Sequence, residues 1–154
     1  ATGSGKTLVY ALPAFIEDNL VTVVVVPLIA LRDDLLKRLS MMKISCLVWR
    51  PDLNMNSAPK IILVGAEHFN EECFQTYIKS LVQNKLLKRV VFEEIHLFLD
   101  QNFRSNIRSC LLNSSALRVR HLFLTATINE EMTCYLEKIF NSKINIIIGD
   151  INRK

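Results

Sequence analysis

Apolar and polar positions along the chain alternate between two rhythms. Val21-Thr-Val-Val-Val-Val26 is a β-branched run without alternation, the pattern of a strand buried on both faces of a parallel sheet. Further strand-like runs occupy residues 44–49, 60–65, 87–92 and 119–124, and a short last strand is expected at 144–148. Between them the apolar residues fall at helical spacing. Residues 7–16 read as a helix with Pro13 kinking it or bringing it toward its end. Residues 28–40 carry Leu28, Leu31, Leu35 and Leu39 on one stripe. Residues 71–84 turn Phe74, Tyr77, Ile78 and Leu81 inward, and residues 102–112 and 130–140 complete the helices. Residues 50–59, rich in Pro, Asn and Ser, form a loop.

Strands alternating with helices imply an α/β fold: a mostly parallel sheet with helices on both faces. In such sheets ligands gather at the carboxyl ends of the strands, so the residues just after each strand are where chemistry belongs. With 154 residues, half of them hydrophobic, the chain is long enough for one core and one domain. The net charge of +4 suits a polyanionic partner without identifying one. The four cysteines, Cys46, Cys73, Cys110 and Cys134, form no C-x-x-C pair and read as buried free thiols of a reducing compartment. The most apolar stretch, residues 20–31, is too short to span a bilayer, and no membrane partner is expected.

Three segments carry the chemistry. Thr2-Gly3-Ser4-Gly5-Lys6-Thr7, ahead of a helix, is the glycine-rich loop that cradles phosphate in P-loop NTPases. Gly3 and Gly5 let backbone N–H groups turn inward, Lys6 supplies a point charge to β/γ-phosphates, and Thr7 offers a hydroxyl to Mg²⁺. Glu93-Glu94-Ile95-His96 leaves an apolar strand, where two adjacent carboxylates are costly unless a cation or water uses them. With a phosphate loop present, Glu93 suits a metal held through water, and Glu94 the activation of a water that attacks the γ-phosphate. Thr125-Ala126-Thr127 follows the fifth strand and can hydrogen-bond the carboxylates and His96.

Together with Val-Val-Val-Pro-Leu-Ile-Ala-Leu and Gly-Ala-Glu, these segments resemble motifs I, Ia, Ib, II and III of superfamily 2 helicases, in order and over nearly the whole chain. Pro27-Leu28-Ile29-Ala30-Leu31, Phe103-Arg104 and the stretch from Glu67 to Leu97 are most similar to RecQ-like helicases, the fungal telomere-linked ones in particular. The resemblance implies a RecA-like first motor domain over residues 1–148, lacking the strand that precedes the phosphate loop, with a linker starting at 149–154 toward a second RecA-like domain. It implies ATP and Mg²⁺ as cofactors, held by Thr2, Gly3, Ser4, Gly5, Lys6, Thr7 and Glu93, with Glu94 as the catalytic carboxylate beside Lys6 and His96. His96, Arg104, Thr125 and Thr127 would couple hydrolysis to domain closure. Pro27, Leu28, Gly65 and Glu67 would line the path of single-stranded or duplex DNA, with RNA also open. The implied location is the nucleus, and the implied activity 3′-to-5′ translocation and unwinding, which this stretch alone would not perform.

The first residue of motif II is Asp in most of the family and Glu93 here. The added methylene displaces the carboxylate at a site where Mg²⁺ demands tight octahedral geometry. Two readings therefore stand side by side: a hydrolysing motor domain, and a remnant that binds nucleotide or nucleic acid without turnover. A P-loop kinase would need an Arg-rich lid, which the sequence does not show.

Overall fold

The computed structural model describes residues 5–53, 58–100 and 104–149, with the side chains of residues 104–107 left out. Five parallel strands form one sheet in the order β2-β3-β1-β4-β5. They are β1 (Val21–Val26), β2 (Cys46–Val48), β3 (Ile61–Gly65), β4 (Leu87–Phe92) and β5 (Arg120–Phe123). The helices are α1 (Leu8–Ile16), α2 (Ile29–Met41), α3 (Ala66–Phe69), α4 (Glu72–Gln83), α5 (Ile95–Leu99), α6 (Arg104–Ser115) and α7 (Glu130–Phe140).

The unalternating β1 takes the centre of the sheet, where every residue is buried. Its period of two divides the core. Val21, Val23 and Val25 pack with Ile62, Val64, Val90 and Phe92 against Phe69, Phe74, Ile78, Cys110, Leu111 and Leu136 from α3, α4, α6 and α7. Val24 and Val26 pack with Ile61, Leu63 and Val91 against Tyr10, Ala11 and Ala14 of α1 and Leu35 and Leu39 of α2. The result is helices on both faces. In register, Val24 lies between Leu63 and Val91. At the amino ends of the strands, buried Arg89 donates to Thr22 Oγ1 at 2.9 Å and to Glu17 Oε1 at 2.5 Å, which ties the turn after α1 to the sheet.

Several expectations change. Residues 144–148 form no strand: a strand needs a ladder partner, and none lies beside this run among the described residues, leaving Ile147 and Ile148 exposed. Leu28 is not on the inward stripe of α2 but precedes the helix as its exposed N-cap. Tyr77 is only partly buried, stacked on Trp49. Pro13 sits within α1, three residues before its end. Of the four free thiols only Cys110 is buried; Cys46 is half-buried, and Cys73 and Cys134 lie on the outer sides of α4 and α7.

Three turns from helix to strand or loop close in the same way. Lys43 after α2, Lys85 after α4 and Asn141 after α7 are left-handed, with φ of 57°, 56° and 47°. The next residue donates back five positions, Ile44 to Leu39, Leu86 to Leu81 and Ser142 to Glu137. These are Schellman-type caps built without glycine, and in the first two the apolar pairs Leu39/Ile44 and Leu81/Leu86 supply the usual contact.

Candidate nucleotide site at the carboxyl ends of the strands

Because all five strands are parallel, the residues after β1, β3, β4 and β5 meet at one end of the sheet. Glu93 is fixed there by its N–H, which donates to Val25 O at 3.0 Å. Leu124 N donates to Phe92 O at 2.9 Å, and Ile95 N to Leu124 O at 2.8 Å, so the Glu93-Glu94 turn is held between β1 and the end of β5. Glu94 adopts a left-handed backbone, φ 49° and ψ 53°, at the start of α5. A non-glycine residue held there carries strain of about 1–3 kcal/mol, and strain of this kind concentrates at functional sites.

The turn before α1 approaches from the other side. Gly5 is left-handed with φ 74°, the conformation for which glycine is suited. It is followed by Leu8 N donating to Gly5 O at 3.0 Å and Ala11 N to Thr7 O at 3.0 Å, which starts the helix. Lys6 Nζ then donates to Glu94 Oε1 at 2.8 Å, both side chains being 23% exposed. The other Glu94 oxygen lies 3.3 Å from His96 Nδ1. His96 Nδ1 is also 2.9 Å from Thr125 Oγ1, whose hydroxyl donates to Thr127 O at 2.6 Å. With that hydroxyl proton committed and Glu94 an acceptor, the proton between them belongs on Nδ1. Lys6, Glu94, His96, Thr125 and the Thr127 backbone thus form one chain of polar contacts.

Glu93 points elsewhere. Its residue is 4% exposed, and Oε1 accepts a 2.9 Å hydrogen bond from Tyr10 OH, itself fully buried on α1. Burial is the largest influence on the Glu93 carboxyl and raises its pKa; Glu94 adds to the rise, while the Tyr10 hydrogen bond, Lys6 and Arg38 oppose it. Burial, then the charge of Glu93, raises the Tyr10 phenol, which stays protonated and able to donate. Thr7 precedes α1, three residues before Tyr10.

The structure therefore brings Lys6, Thr7, Glu93, Glu94, His96, Thr125 and Thr127 together, with Gly5 turning the chain into them. Pro27 and Leu28 follow β1, and Gly65 and Glu67 lie at the end of β3, on the same end of the sheet; Gly65 pairs with Val26. The Glu67 carboxylate folds over Gly65, so closely that an added Cβ would lie 2.4 Å from Glu67 Oε1. Thr2, Gly3, Ser4, Phe103 and residues 150–154 lie outside the described residues; Arg104 opens α6, and its side chain is likewise outside them. Tyr10 is the site residue that the sequence pattern hid. On the buried stripe of a helix a tyrosine reads as core, and its only signal is its place three residues after Thr7, facing the same way.

Relatives show the same architecture. Solved structures of the DUF1998 helicase MrfA, bound to DNA and bound to DNA and AMPPNP, superpose with TM-scores of 0.74 and 0.75 at 18% identity, over 94% and 96% of this chain and 23% and 24% of theirs. A hypothetical ATP-dependent RNA helicase from Sulfolobus tokodaii matches with a TM-score of 0.58 at 22% identity, over 91% of this chain and 43% of that one. The fold is thus the RecA-like fold of helicases. In sequence, the ATP-dependent DNA helicase hus2/rqh1 of Schizosaccharomyces pombe is 31% identical over 149 residues, 84% of this chain and 11% of that protein. The mouse ATP-dependent DNA helicase Q5 is 30% identical over 132 residues, 77% of this chain and 13% of that protein. The chain spans about a tenth of the length of these two relatives. The DEAD/DEAH box helicase family matches residues 1–134, the stretch that builds the Lys6–Glu94–His96 chain and the strands beneath it, and the chain belongs to that family.

Proposed function

We propose that residues 1–148 are the ATP-hydrolysing motor domain of a RecQ-like DNA helicase. One observation carries the reading: the 2.8 Å Lys6–Glu94 pair, continued through His96 to Thr125, joins the phosphate-loop turn to two strand ends. A triphosphate would draw Lys6 to its β/γ oxygens and leave Glu94 on His96. There Glu94 orients and deprotonates the attacking water, and His96 and Thr125 pass the change to the end of β5. Thr7, at the start of α1, and Glu93, on the Tyr10 phenol, offer only hard oxygen donors, a small donor set that would suit a Mg²⁺ keeping most of its waters. A Mg²⁺ held there with the nucleotide would supply charge neutralisation at the phosphates. Pro27, Leu28, Gly65 and Glu67 meet a nucleic-acid strand, mainly through phosphates. In this reading the domain works with a second RecA-like domain, with Arg104 as a coupling residue. Translocation runs 3′ to 5′, and the protein acts in the nucleus; resemblance to RecQ-like helicases supports these points.

In the full chain, Lys6→Ala should lower DNA-stimulated ATP turnover by at least about 100-fold, given the weight of electrostatic stabilisation in phosphoryl transfer. Retained turnover would overturn the assignment. The burial of Glu93 against Tyr10 favours a second reading, nucleotide binding without turnover. Its mark would be wild-type protein that binds ATP and does not hydrolyse it, with turnover gained in Glu93→Asp.

A further inference from the structure

We propose that Tyr10 is a positioning residue that sets where the longer motif II carboxylate, Glu93, presents its oxygens to a nucleotide-bound cation. The proposal rests on the nucleotide-site reading above and deepens it.

Glu93 is anchored to β1 by its backbone N–H, so its side chain starts from a fixed point at the end of β4. Its carboxylate is drawn inward until Oε1 meets the Tyr10 hydroxyl at 2.9 Å. Tyr10 is itself held rigidly: it is fully buried on α1, packed into the core that contains Val24, Leu35 and Leu63. An aspartate at the same backbone position is one methylene shorter and falls short of this phenol. The contact therefore suits a glutamate in particular.

The phenol gives its proton to Glu93 and lies three residues after Thr7, the other oxygen donor expected at the cation. With one Glu93 oxygen held by Tyr10, the second is the one free to face the cation or its waters. Groups that orient a ligand in this way typically change metal affinity by about 10–100-fold when lost.

The test uses the full chain and a fluorescent ADP analogue, titrated in Mg²⁺ and in EDTA. The ratio of the two dissociation constants measures the Mg²⁺-dependent part of binding. Tyr10→Phe should cut that ratio by about tenfold or more and leave affinity in EDTA, carried by Lys6, nearly unchanged. In a Glu93→Asp background the same Tyr10→Phe change should have little effect, because the shorter carboxylate does not use the phenol. Equal weakening with and without Mg²⁺, or effects that simply add between the two substitutions, would overturn the proposal. If Tyr10→Phe fails to fold, the Glu93→Asp single variant decides: its Mg²⁺ ratio should differ from wild type, and an unchanged ratio counts against Tyr10. Failure of the wild-type protein to bind the analogue in either buffer would overturn the nucleotide-site reading, and this proposal with it.

Discussion

At the scale of single residues, two adjacent glutamates face different surroundings. Glu94 is partly exposed, paired with Lys6 and close to His96, whereas Glu93 is buried on a phenol. A carboxylate that keeps solvent contact can meet an attacking water directly; one enclosed in the core meets it less readily. Glu94→Gln should therefore lower ATP turnover by about 10²–10⁴-fold and leave nucleotide affinity within a few-fold, read by single-turnover kinetics beside equilibrium binding. Lys6, Thr7, Glu94, His96 and Thr125 were legible in the sequence because phosphate chemistry restricts residue types and spacing so tightly. The direction of Glu93 was not. It depends on Tyr10, 83 positions away, whose spacing within α1 is that of any core residue.

At the scale of elements, β1 and β4 were legible to the residue, β1 because an unbroken β-branched run has few alternatives to a buried strand, β4 through its Val90-Val91-Phe92 end. The short helices α3 and α5, four and five residues long, are too brief to show a period. The apolar run at 144–148 shows the opposite limit: composition suggests a strand, and pairing decides it. The left-handed caps were equally hidden, since lysine at C′ carries no turn signal. Lys85 is exposed and makes its cap through backbone alone, with Lys85 N donating to Val82 O at 3.0 Å. Lys85→Gly removes the steric cost of its Cβ and should stabilise the fold by about 0.5–1 kcal/mol after the added entropy of the unfolded chain, measured as a rise in urea midpoint.

At the scale of the whole molecule, His121 reports how β5, α6 and α7 are fastened together. Its Nδ1 donates to Val119 O at 2.8 Å and its Nε2 accepts from Ser114 Oγ at 2.7 Å, while its ring meets Phe140 at 4.6 Å between centroids. Burial lowers its pKa to about 4, and the hydrogen bonds to Val119 and Ser114 oppose this only in part. In the unfolded chain the ring titrates near its ordinary value, about 6.5. Between these two values the unfolded state binds more protons. Stability from this group is complete above about pH 6.5, falls as the pH drops toward 4, and falls no further below it. The expected slope approaches about 1.4 kcal/mol per pH unit within the window, and His121→Phe should flatten it in urea titrations at pH 7, 6 and 5.

The Lys6–Glu94 pair joins residues 88 positions apart, and the sheet beneath it contains no hairpin. Nothing local can assemble this site early. Its two halves meet only when the distant pairing of β1 with β4 closes, an event of high loop-closure cost that belongs late on the folding path. A ligand spanning Lys6 and the motif II turn needs both halves in place, so it binds the assembled chain and not the open one and should hold the native state by mass action.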